Sequence, residues 1–233
     1  MNPPRAGYFR SVLERELGPA FRRREILDVG CGGGLLTEEL LRAGIRVTGI
    51  DIAERALRIA RDHARQQGLD PRYARGRAEE LPFADGSFAA VVSSDFLEHV
   101  DSLDAVVGEC ARVLESGGIF LFDTINRTWL TRVFHIGLLQ EWRNLVPPHT
   151  HDWRQFIRPF ELAGVLRRAG LAPVETRGLT PVHPIRFGLH LMIHRKGKDR
   201  MPPFHVSDSI SGSYLGYAVK QGEVTTYSRT ISE

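Results

Sequence analysis

The sequence predicts an α/β fold: a mostly parallel, seven-stranded sheet with helices on both faces and a helical insertion after the fifth strand. Three observations carry this. Strand-like apolar runs and helix-period segments alternate five times between residues 25 and 125, as βαβ units do. The links between them are short. The chain has 233 residues and 42% hydrophobic residues, enough for one α/β domain spanning 1–233 with an insertion at 126–155.

The elements are expected in this order. Residues 1–24 read as an amphipathic helix with Tyr8, Val12, Leu13 and Leu17 on one side. "EILDVG" (25–30) is a buried strand, and the segment after it shows helical spacing at Leu36, Leu40 and Leu41. "RVTGID" (46–51) is the second strand, followed by a helix over 53–68 that Gly68 closes. A third strand lies within 71–83, a fourth at 88–94 and a fifth at 119–125, with a helix over 102–118 between the last two. A further helix spans 156–170, and the C-terminal segments supply the last one or two strands.

Composition excludes several function classes. No apolar run approaches a membrane span of about 18 residues. The N-terminus shows no apolar signal-peptide core, so a cytoplasmic location is expected. Cys31 and Cys110 are too few for a disulfide framework or a zinc site. Net charge is +3, with arginines dispersed along the chain, so the basic stripe of a nucleic-acid-binding protein is missing.

"DVGCGGG" (28–34) follows the first strand directly and opens the first helix. Gly30, Gly32 and Gly34 let backbone approach a ligand, and a helix N-terminus offers unpaired N–H donors. The spacing differs from the dinucleotide pattern of three glycines before a pyrophosphate. Asp28, just before the loop, is placed to accept a hydrogen bond from a ligand amine or a held water. Asp51 ends the second strand, where an acid commonly binds two ribose hydroxyls. Loop and acid together point to a nucleoside-containing ligand on a Rossmann-like sheet. The loop taken alone reads equally well as tight-turn glycines.

Four segments in order, "ILDVGCGGG" (26–34), "VTGIDIA" (47–53), "AEELPFADGSFAAVVS" (78–93) and "RVLESGGIFLFDT" (112–124), resemble the class I S-adenosylmethionine-dependent methyltransferases. The resemblance implies Gly30, Gly32 and Gly34 around the methionine part of S-adenosylmethionine and Asp51 on the ribose. It implies Ala78 and Glu79 by the adenine and Ser94 near the ligand, with Cys31 and Ile52 completing the cofactor-binding set. Arg77 stands where many relatives carry Asp. More narrowly, "NPPRAGYF" (2–9), "DVGCGGGLL" (28–36), "LEHV" (97–100) and "PPHTHDWRQFIRPFEL" (147–162) resemble the ubiquinone-biosynthesis O-methyltransferases, which methylate polyprenylated catechols. By this likeness Arg5 reaches the cofactor's carboxylate. The C-terminal third matches poorly.

"VVSSDFLEHV" (91–100) runs apolar and then abruptly charged. The carboxyl end of the fourth strand faces the crevice where such sheets bind ligands, so Asp95, Glu98 and His99 are expected beside the methyl donor. In the ubiquinone-type relatives an acid–acid–histidine trio here is associated with a divalent metal. Asp95 replaces the usual Glu. A Mg²⁺ on Asp95, Glu98 and His99 would bind catechol oxygens and lower their pKa. Without a metal, Glu98 or His99 serves as general base. Alternatively these are ordinary helix-start residues. In "HTHDW" (149–153), His151 is a second candidate base with Asp152 orienting it, against the reading of Asp152 as an N-cap.

Residues 128–148 are unusually apolar, with Leu130, Phe134, Leu138 and Trp142 at helical spacing and arginines flanking them. They are expected either to cover an apolar substrate, to touch a membrane surface peripherally, or simply to pack on the domain. The resulting expectation is O-methylation of a phenolic or catecholic, lipophilic acceptor. The alternatives are another natural-product acceptor (O-, N- or S-) and a non-catalytic S-adenosylmethionine-binding protein.

Overall fold

The computed structural model describes residues 3–132, 152–183 and 203–222. Within them, β1 (Glu25–Val29), β2 (Arg46–Asp51), β3 (Arg72–Arg75), β4 (Phe88–Ser94) and β5 (Leu114–Ile125) pair in parallel. β6 (Leu171–Pro181), β7 (Phe204–Ser207) and β8 (Ser213–Lys220) extend the sheet through antiparallel pairs. The order is β3-β2-β1-β4-β5-β8-β6-β7. This corrects the expected strand count. The eighth strand is β7, a four-residue strand added to β6 at the sheet's edge.

Period-two alternation divides the side chains between two cores. Leu27, Val91, Phe120 and Phe122 pack on one face with α4 (Leu103–Val113) and α6 (Pro159–Arg168). Ile26, Ala90, Val92, Ile119 and Leu121 pack on the other with α1 (Pro3–Leu17) and α2 (Leu35–Arg42). Each fully buried Leu or Phe contributes about 1.5–3 kcal/mol of apolar transfer. α3 (Glu54–Gln66) covers β2 and β3, burying Leu57, Ala60 and Ala64.

Three element boundaries differ from the sequence reading. The first helix stops at Leu17, because Gly18 turns to φ 68° and Pro19 opens a separate short 3₁₀ helix. α4 ends at Val113 rather than at the glycines, since Leu114 already pairs with Phe88 and buries itself in the core. The register then shifts between Phe88 and Ala90, so Gly117 and Gly118 lie in a bulged stretch of β5. The third is the helix expected over 156–170, which starts at Pro159, a residue suited to a first helical turn.

Of the expected insertion at 126–155, the structure describes 126–132 and 152–155. Thr128 caps a single turn, α5 (Trp129–Thr131), and Trp129 and Leu130 are exposed. Residues 133–151, with His149 and His151, lie outside the described residues. Asp152 caps a 3₁₀ turn, accepting the Arg154 N–H at 2.9 Å, which favours its structural role. No helix among the described residues is long and apolar enough to cross a membrane.

Candidate functional site

The carboxyl ends of β1, β2, β4 and β5 converge on one edge of the sheet, and the chemistry gathers there. After Val29 the chain turns through Gly30 at φ 73°, Gly32 at φ 50° and Gly34 at φ 76°, conformations that L side chains rarely adopt. Gly30 and Gly34 are also packed shut. A Cβ on Gly30 would fall 2.2 Å from the Phe96 ring, and one on Gly34 would fall 2.0 Å from the Tyr73 hydroxyl. Around Gly32 there is open space.

Backbone bonds tie this loop to β2. The amides of Gly30 and Cys31 both donate to the Ile50 carbonyl, at 2.9 and 3.0 Å. Asp51 accepts the Gly32 N–H on Oδ2 at 2.9 Å and the Ala53 N–H on Oδ1 at 2.8 Å. Each carboxylate oxygen is thus aimed by one amide and keeps lone pairs for a ligand. Asp28 lies beneath the loop. It is 1% exposed and accepts the Thr37 hydroxyl at 2.6 Å. Burial pushes its carboxyl up to about 6. Thr37 was not foreseen; a Thr nine residues after a buried Asp gave no local signal.

Beside the loop opens a cleft of about 190 Å³. Of the expected cofactor residues, Gly30, Asp51, Ile52, Ala78 and Glu79 line it, and so does His99. Cys31, Gly32, Gly34 and Ser94 belong to the adjoining loop and strand end. Sequence reasoning missed Phe96 and Gly76, both in the lining. The walls pair apolar surface from Ile50, Ile52 and Phe96 with the acid of Asp51, as a nucleoside requires.

The second half of the site is charged. Asp95 follows β4 at φ 48°, the only positive φ outside glycine among the described residues. Its carboxylate meets Arg5 of α1 in a two-pronged pair, Nη1 to Oδ2 at 2.6 Å and Nη2 to Oδ1 at 2.9 Å. Arg5 Nη2 also lies 3.0 Å from Oδ2 of Asp123, which is fully buried on β5 opposite Ser94. Glu98, 2% exposed, accepts the Thr124 hydroxyl at 2.7 Å.

Two carboxyl groups therefore hold one guanidinium, and Glu98 adds its field from nearby. Burial, and then the charge of Asp95, pushes Glu98 up to about 7. Burial pushes Asp123 well above the usual carboxylate range; Arg5 opposes this and Asp95 adds to it. Burial lowers His99, with Asp95 partly offsetting it. Asp123 was missed, although a lone acid in the apolar run "IFLFDTI" is itself a signal, because a buried charge needs a partner.

The expected metal trio is not assembled. Both oxygens of Asp95 are taken by Arg5, one oxygen of Glu98 is taken by Thr124, and His99 faces the cleft. Among the described residues no group of three His, Cys, Asp or Glu side chains is placed to hold a metal ion. As described, the donor set does not fit Mg²⁺, because a guanidinium stands on the carboxylate the ion would use.

Residues 27–122 match the model of a methyltransferase domain. The chain is 36% identical to the ubiquinone biosynthesis O-methyltransferase of Nitrosococcus oceani, over 95% of this chain and 85% of that protein. It is 37% identical to the protein of the same name from Hahella chejuensis, over 94% and 84%. Among solved structures it is similar to an S-adenosylmethionine-dependent methyltransferase from Methanosarcina mazei, with a TM-score of 0.62 and 23% identity over 86% of this chain and 93% of that one.

Proposed function

We propose that this chain, which belongs to the family of the ubiquinone-biosynthesis O-methyltransferases and is an S-adenosylmethionine-dependent methyltransferase, methylates a hydroxyl oxygen of a phenolic or catecholic, lipophilic small molecule. The observation that carries the reading is Glu98, a buried carboxyl with its pKa raised to about 7 at the end of β4. A phenol is a poor nucleophile and its phenolate a good one. Glu98 takes the hydroxyl proton as the oxygen attacks the methyl carbon. The methyl–sulfur bond breaks with its electron pair moving to sulfur, which becomes a neutral thioether. A base poised near working pH contributes about 10²–10⁴-fold. His99 and His151 are the alternative bases.

The cofactor occupies the cleft in this reading. The remaining lone pairs of Asp51 accept the ribose hydroxyls, with Ile52, Ala78 and Glu79 flanking the base. Gly30, Cys31, Gly32 and Gly34 carry the methionine part, supported by Asp28 from below and Ser94 from β4. Arg5 receives the methionine carboxylate. Exposed Trp129 and Leu130, at the root of the 128–148 insertion, support an apolar cover over the acceptor and a peripheral contact with membrane.

The test is transfer of labelled methyl from S-adenosylmethionine to catechols, simple phenols, thiols and amines, each with Mg²⁺ and with chelator. Turnover confined to catechols and phenols is expected. Turnover confined to thiols or amines would move the acceptor to another class, and binding without any turnover would leave a cofactor-binding protein. A catechol rate that collapses with chelator would mean that Arg5 gives up Asp95 in the working enzyme.

A further inference from the structure

The two acids that hold Arg5 differ in what they can do next. The Asp123 side chain is 0% exposed, lies 3.0 Å from the guanidinium inside the sheet, and has no route to water. The Asp95 side chain is 54% exposed, and its residue lies outside the strand at φ 48°. It can turn to water at little cost. Arg5 Nε is buried and has no acceptor among the described residues, so the guanidinium is incompletely satisfied in this arrangement.

The pair also borders the cofactor loop. Phe96, next to Asp95, packs against the α-carbon of Gly30. Asp95 engages both Nη1 and Nη2 of Arg5, and Asp123 lies 3.0 Å from Nη2. A further carboxylate could take those donors only if one of the two partners left. Glu98 and Asp123 are buried, and Asp95 alone can be solvated.

Resting on the reading that Arg5 receives the methionine carboxylate, we propose that Asp123 is the fixed anchor of Arg5 and Asp95 its exchangeable partner, displaced when the cofactor's carboxylate arrives. Asp95 thereby acts as a built-in competitor for the cofactor. Asp123 is a positioning residue that holds the guanidinium at the cleft throughout. The exchange releases the Asp95 carboxylate beside the methyl donor only once the cofactor is in place.

The experiment is a double-mutant cycle read by equilibrium binding of S-adenosylmethionine and of its decarboxylated analogue. The proteins are the wild type, Asp95→Asn, Arg5→Ala and the double variant. Asn accepts the positive φ at position 95, so the backbone is retained. Asp95→Asn is expected to raise the preference for the carboxylate-bearing cofactor about two- to five-fold, the scale of a part-exposed ion pair. In the Arg5→Ala background the same change is expected to do nothing. An equal rise in both backgrounds would reduce Asp95 to a general field effect and overturn the exchange. If Arg5→Ala abolishes the preference but Asp95→Asn leaves it unchanged, Arg5 keeps its role and the exchange fails. If Arg5→Ala leaves the preference intact, the carboxylate assignment itself fails, and the exchange with it.

Discussion

The two halves of the site solve the same problem, holding acids at a sheet edge, in opposite ways. At the β1–β2 end, Asp51 is fixed by two backbone amides, and the loop beside it is tied by two more to Ile50. Backbone donors do not titrate or swing, so this half is a rigid mould. At the β4–β5 end, Asp95, Glu98 and Asp123 share one guanidinium and one hydroxyl. There the partners are side chains, burial raises the pKa of Glu98 and Asp123, and protons can move. In the proposed function, the first half binds and the second half reacts.

Substitutions can break this contrast, and the largest effect falls in the reactive half. Glu98→Gln keeps the shape and removes the proposed base, so kcat is expected to fall about 10²–10⁴-fold while cofactor affinity stays near that of the wild type. A parallel loss of affinity would return Glu98 to a structural role. In the rigid half, Asp51→Ala removes the proposed ribose acceptors and the observed ties to Gly32 and Ala53. Binding titrations should show a loss of about 1.5–3 kcal/mol, and unchanged affinity would sink the ribose assignment.

Gly30→Ala drives a methyl group into Phe96 and strains a positive φ. Thermal unfolding should register about 1–3 kcal/mol of destabilisation. Arg112 sharpens the comparison from outside the cleft. It donates to the carbonyls of Leu81 and Phe83 and to Asp85 and Glu109, clasping the loop that follows Ala78 and Glu79. Arg112→Met should raise KM for S-adenosylmethionine a few-fold with kcat little changed. The smallest effect is a control. Ser102→Ala removes the cap on α4 and should cost about 1 kcal/mol of stability with activity intact.

The rigid half was legible in the sequence because its devices are local. Glycines at 30, 32 and 34 and an acid ending β2 act within a few residues of where they stand. The reactive half was read only as a list. Asp95, Glu98 and His99 were visible, but their partners come from 90 residues upstream in Arg5 and 26 downstream in Thr124. Nothing in "DFLEHV" says that Asp95 faces a guanidinium and His99 a cleft. The same limit hid β7, a four-residue strand whose pairing with β6 is decided in three dimensions.

The most direct test of the account is the pH dependence of methyl transfer at saturating cofactor and acceptor. As the proposed base, Glu98 works ionised, and burial pushes its carboxyl up to about 7. The wild-type rate should therefore rise through pH 6–8 with a midpoint near 7, the Glu98→Gln variant should lack that limb, and an identical limb in the variant would contradict Glu98 as the base.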